Sequence, residues 1–83
     1  MNICFFMGKV ISDIDYKFIL NGKNDAIAFF TIKLLNNSII NAIAYNQKAD
    51  YCYRTVKIGS DVIIEGNLNS KLNVIITSIY TNK

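Results

Sequence analysis

Two aspartates spaced D-x-D, Asp13 and Asp15, come nearest in this sequence to a catalytic or metal-binding signature. Carboxylates at such spacing can ligate a metal or serve as acid and base. The chain, however, has no histidine and only two cysteines, Cys4 and Cys52, too few ligands for a transition-metal site. Turn chemistry accounts for Asp13 and Asp15 more simply, because aspartate side chains bond to nearby backbone in turns. Neither a phosphate-cradling glycine loop nor a nucleophile with a base close in sequence is present. The expectation is a protein that is not an enzyme, needs no cofactor and keeps two buried thiols.

A different chemistry lies in two alternating segments. In "AIAFFTIK", residues 26–33, alternation puts Phe30 and Ile32 on one face and Phe29, Thr31 and Lys33 on the other. In "INAIAY", residues 40–45, Ala42 and Ala44 suit a crowded interior, which leaves Asn41, Ile43 and Tyr45 facing out. Joined antiparallel, the two segments would show Phe29, Lys33, Asn41 and Tyr45 on one surface, with Thr31 between them. Rings interleaved with a cation form a platform of the kind on which single-stranded nucleic acid stacks. The competing reading buries Phe29 and Tyr45 under a partner subunit. Lys48, Lys57 and Lys71 are further candidate phosphate contacts, each equally at home as a solvated surface lysine.

The elements that would position these residues follow from the hydrophobic pattern. Residues 2–10 are rich in β-branched and aromatic residues, with a single glycine, a strand signature, and residues 15–20 form a short strand or its continuation. Asn21 and Gly22 favour the left-handed backbone of a tight hairpin, so residues 16–20 should pair antiparallel with residues 26–34. Residues 36–38, "NNS", make a second turn, and residues 39–45 return. The period then changes: Ala49, Cys52, Tyr53 and Val56 fall at i, i+3, i+4 and i+7, which predicts a short amphipathic helix with Asn46 as N-cap and Gly59 as stop. The stretch "KIGSDVIIEGNLNS", residues 57–70, read as a strand, then the turn "LNSK" and a last strand over 72–80 complete the chain.

That order is five strands, the first interrupted, with one short helix between strands 3 and 4. A small all-β domain must hide its strand edges, and closing into a barrel does so. The predicted fold is therefore all-β, a five-stranded OB-fold barrel spanning residues 1–83 as a single domain. Gly8 and Gly66, inside strands, would relieve crowding where strands bend to close it.

The quoted segments resemble the bacterial single-stranded DNA-binding protein family. "NICFFMGKVISDIDYKFILNGKNDAIAFFTI" is similar to that family's opening, "INAIAYNQKADYCYRTVKIGSDVIIEGNL" to its second half, and "GSDVIIEG" to its best-kept signature. The resemblance departs in several places. The loop after Leu34 is short where the family carries a long ribbon, and the chain has no tryptophan. Ile39 and Asn73, or its neighbour, stand where stacking tryptophans would be, and Tyr45 keeps an aromatic at a matching position. The chain ends at "YTNK" with no acidic tail, which resembles the compact primosomal replication protein N branch. What this implies is an accessory-type binder of single-stranded nucleic acid, DNA in preference to RNA, with little sequence preference, acting in replication, repair or mobile-element maintenance. The alternative is an OB-fold interaction module of a replication or mobile-element complex with little affinity for DNA.

Composition bounds these expectations. A net charge of +3 on 83 residues permits a polyanionic partner without demanding one. With 52% hydrophobic residues and fifteen isoleucines in so short a chain, some apolar surface should be covered by another copy, in a dimer or tetramer. The first strand carries the argument further: Ile3, Phe5 and Met7 alternate with Cys4 and Phe6, so both of its faces are apolar. The opening apolar run is too short for a membrane span and lacks a signal-peptide pattern, so the expected location is cytoplasmic, with no membrane partner.

Overall fold

The computed structural model describes residues 3–19 and 25–82. Six strands and one helix follow in the order β1 (Cys4–Val10), β2 (Asp15–Ile19), β3 (Asp25–Leu34), β4 (Ile39–Tyr45), α1 (Gln47–Thr55), β5 (Asp61–Leu68) and β6 (Asn73–Asn82). β1 and β2 lie along one edge of β3: residues 8–10 pair with residues 32–34, and residues 15–19 with residues 25–29. They are the two halves of the interrupted first strand. β1 also pairs with β5, β5 with β6 and β3 with β4, all antiparallel, while β4 and β6 run parallel. Five strands thus close the OB barrel that the sequence predicts, counting β1 and β2 as one. The Asn21–Gly22 hairpin turn lies outside the described residues.

Alternation fills the barrel. Ala26, Ala28, Phe30 and Ile32 of β3 point inward, as do Ala42 and Ala44 of β4, Val62 and Ile64 of β5, and Val74 and Ile76 of β6. Phe30 sits opposite Ala42 in the ladder, so a large ring is matched by a methyl group and the interior closes without a clash. α1 packs against β3, β4 and β6 and seals this core with Ala49 and Cys52, followed by Val56 just beyond its end. Burial pushes the Cys52 thiol up to about 11. Cys4 is only half-buried, so the expectation of two buried thiols holds for one of them.

Two glycines are required by close backbone approach. A Cβ on Gly8 would lie against the Lys33 carbonyl and 2.6 Å from Ile32 Cγ2, and one on Gly66 would lie against the Ile75 carbonyl and 2.9 Å from Val74 Cγ1. Between Glu65 and Gly66 the β5–β6 register shifts by one residue, a bulge with Thr77 of β6 as the extra residue beside Gly66.

Three expectations about the helix are corrected. Asn46 precedes it with φ 54° but gives it no side-chain cap. Its backbone N–H donates to the Ala26 carbonyl at 2.7 Å and its Oδ1 accepts from the Ala26 N–H at 3.1 Å, so it extends the β3–β4 ladder instead. The helix stops at Val56, whose backbone is extended, before Gly59 is reached. Gly59, at φ 91°, donates to the Val10 carbonyl and forms the entry to β5. Tyr53 does not enter the core: it is 60% exposed, and its ring packs on Tyr16 with centroids 4.8 Å apart. The Tyr16 hydroxyl donates to Asp50 Oδ1, and that bond, more than partial burial, raises the Tyr16 pKa. The face of α1 expected to be purely packed thus also ties β2 to the barrel. No helix among the described residues is long and apolar enough to cross a membrane.

Candidate nucleic-acid interface

The strand registers build the outer surface one row at a time. Asp15 of β2 pairs with Phe29 of β3, Phe29 with Ile43 of β4, and Ile43 with Ile75 of β6, so these four side chains lie side by side outside the barrel. In the next row Thr31 pairs with Asn41 and Asn41 with Asn73. On the other side of the Phe29 row, Lys17 pairs with Ile27 and Ile27 with Tyr45. The surface is therefore an apolar strip of Phe29, Ile43 and Ile75, bordered by an amide-and-hydroxyl row and by a row ending in Tyr45.

Phe29, Thr31, Asn41, Ile43 and Asn73 share an open cleft with Ser12, Asp13 and Asp15. The Ser12 hydroxyl accepts from the Thr31 N–H at 2.9 Å and so fixes the chain entering β2 against β3. Ile43 faces out as expected, yet it is only 7% exposed and lies outside the interior cluster, because Phe29 and Ile75 flank it on the same face. Tyr45 is 44% exposed and borders a neighbouring depression with Asn46, Gln47 and Lys48.

The candidate cations divide. Lys48 falls beside Tyr45, and Lys71 is exposed in the β5–β6 turn, where its N–H donates to Asn69 Oδ1 two residues before Asn73. Lys33 lies near the far end of β3, paired with Lys9 and Ile39, and borders a separate apolar groove with Met7, Ile63 and Tyr80. Lys57 sits beside Tyr53 and Ile58, in another depression. Phe29, Thr31, Asn41, Tyr45 and Lys48 are thus brought together, with Lys71 at the border and Lys33 one row beyond the Thr31–Asn41 pair on the same face, whereas Lys57 stands apart.

Sequence reasoning missed Lys17. Its Nζ stands 5.9 Å from the Phe29 ring centroid and 3.8 Å from Asp15 Oδ2. Alternation within "DYKFI" puts Asp15 and Lys17 on one face, but which β3 residues they meet depends on the length of the turn joining β2 to β3, which periodicity does not give. Both charges are more than 60% exposed, so their pairing adds little to stability. Asp13 and Asp15 border the apolar strip, and no group of three or more His, Cys, Asp or Glu is placed to hold a metal ion among the described residues.

No protein-family model and no curated protein matches the sequence. Solved structures do. The SSB domain of a Synechococcus protein superposes with a TM-score of 0.86 at 14% identity, covering 96% of this chain and 94% of that one. The single-stranded DNA-binding protein of Thermus aquaticus gives 0.86 at 15% identity over 100% of this chain, which spans 41% of the longer protein. The small single-stranded DNA-binding protein of Streptomyces coelicolor gives 0.77 at 16%, covering 99% of this chain and 95% of that one. Identities this low speak for architecture, and the architecture of this chain is the OB fold of bacterial single-stranded DNA-binding domains.

Proposed function

We propose that this chain binds single-stranded DNA on the outer face of its barrel, with bases stacking on Tyr45 and Phe29 and phosphates meeting lysines at the border. The observation that carries the reading is the continuous outer strip of Phe29, Ile43 and Ile75 beside an exposed Tyr45, on a fold shared with proteins described as single-stranded DNA-binding. Thr31 and Asn41 supply hydrogen-bonding groups along the strip; Lys48 and Lys71 are the nearer cations, with Lys33 and Lys57 reached by a longer strand. Aromatic faces accept any base, so recognition is broadly sequence-tolerant and favours an accessory role in replication, repair or mobile-element maintenance. Titrating a fluorescent oligothymidine at low salt tests it. A rise in anisotropy with protein supports the proposal, and a flat signal at tens of micromolar protein would replace it with the interaction-module reading.

A second surface supports self-association. Ile3, just before β1, and Phe5 and Met7 on it are each at least 55% exposed, and Met7, Ile63 and Tyr80 line up across β1, β5 and β6. Residues 4–7 of β1 have no strand neighbour opposite β5 among the described residues, because β3 reaches only residues 8–10. Pairing of this edge with a second copy would bury both the backbone groups and the apolar stripe. Light scattering should report a particle larger than 9.4 kDa at micromolar concentration. A monomer there would sink the idea.

A further inference from the structure

The stacking strip does not end in a neutral wall. Its first side chain is Asp15, the direct ladder neighbour of Phe29, and Asp13 borders the same cleft. In antiparallel pairs, directly opposite side chains stand about 4.5–5.5 Å apart at Cβ. A base lying on the Phe29 ring therefore presents one of its edges to the Asp15 carboxylate. Lys17 now occupies the space over that ring and is paired with Asp15. An incoming base takes the place of the ammonium over the ring, and the displaced lysine is then free to follow the phosphate that arrives with the base. Asp15 is left without its cation and faces the base edge.

A carboxylate only accepts hydrogen bonds. Guanine offers two parallel donors, N1–H and the N2 amino group, matching the two carboxylate oxygens, and such charge-assisted bidentate pairs are the strong ones. Cytosine and adenine each offer one amino group. Thymine offers a single N3–H between two carbonyls, so it gives one bond and sets two acceptors against the charge. We propose, resting on the single-strand reading above, that the Phe29 position is a base-selective subsite within an otherwise tolerant groove. Asp15 there favours guanine and disfavours thymine.

The test compares oligonucleotides by fluorescence anisotropy: an oligothymidine, the same length with isolated guanines spaced too widely to fold on themselves, and a version with inosine at those positions, which lacks the N2 amino group. The wild-type protein should bind the guanine oligonucleotide about 3- to 10-fold more tightly than oligothymidine, the lower end of what a bidentate pair discriminates in view of the exposed site. Inosine should fall between. In Asp15→Asn the guanine-to-thymine ratio should fall to within about twofold, while Asp13→Asn retains it. Equal binding of guanine and thymine oligonucleotides by the wild type, or a ratio that survives in Asp15→Asn, would overturn the proposal while leaving the single-strand reading standing. Binding of none of the three would overturn both. Thermal unfolding of Asp15→Asn should match the wild type, since the side chain is exposed, and a folded variant keeps the comparison meaningful.

Discussion

Tyr45→Ala should weaken single-strand binding while leaving the barrel intact. Tyr45 is the last residue of β4, with its ring outside the core and 44% exposed, so truncation removes little interior packing. Phe29 carries the Lys17 ammonium near its face, whereas no such cation is found over Tyr45 among the described residues. Tyr45 is thus the more freely available ring, on a chain without tryptophan. One base stacked on an aromatic side chain is worth about 1–3 kcal/mol, which corresponds to roughly a 5- to 150-fold increase in Kd. Anisotropy titration of a labelled oligothymidine reads that change, with circular dichroism melting and light scattering on the same samples. Tyr45→Phe keeps the π face and should bind within about twofold of the wild type. If Tyr45→Ala bound DNA normally but dissociated the oligomer, the ring would belong to a subunit interface and the outer strip would not be the binding surface.

Salt should oppose binding: with about three to five phosphates neutralised, log affinity against log salt should fall with a slope of roughly −2 to −3.5, and Lys33→Ala should lower affinity mainly at low salt if the strand reaches that far along β3. Gly66→Ala should cost on the order of 1–3 kcal/mol in denaturant unfolding, because its Cβ would meet Val74 and the Ile75 carbonyl at the bulge. An unchanged midpoint would show that the bend tolerates a methyl group. Cys52 gives an alkaline limit: its folded pKa is raised to about 11, above the unfolded value, so its contribution is complete below about pH 9 and is lost as pH rises to about 11. Cys52→Ala should flatten the fall in melting temperature over that window, and Cys4 should react first with a thiol reagent in the native protein.

The barrel was legible because burial on one face imposes a period of two, and Ala26, Ala28, Phe30, Ile32, Ala42 and Ala44 obey it. The same alternation put Phe29, Thr31, Asn41 and Tyr45 on one surface. Side chains with two possible employments were not legible. Asn46 has the chemistry of a helix cap, but an adjacent ladder offered its amide a better partner in Ala26. Tyr53 has the spacing of a core residue, yet its ring found Tyr16 on β2. Lys57 carries the charge that phosphate needs, and only the three-dimensional path separates it from the cleft. Lys17 and Asp15 stayed hidden because their neighbours depend on a register set by turn length.

β2 is held to one strand neighbour and, on its inner side, by Tyr16 against Asp50 and Tyr53, whereas every strand of the closed ring has two neighbours. Its amides should therefore exchange with solvent sooner than those of β3 or β5, and it can detach without opening the barrel. The side chains that border the stacking strip, Asp15 and Lys17, ride on this weakly anchored segment, while Phe29 and Tyr45 are fixed in the ring. In the proposed site, then, the surface offered to bases is part of the closed ring, and the border proposed to discriminate among them rides on a segment that can detach. Substitutions in the border can alter preference at little cost to the barrel, so selectivity and stability are free to vary independently.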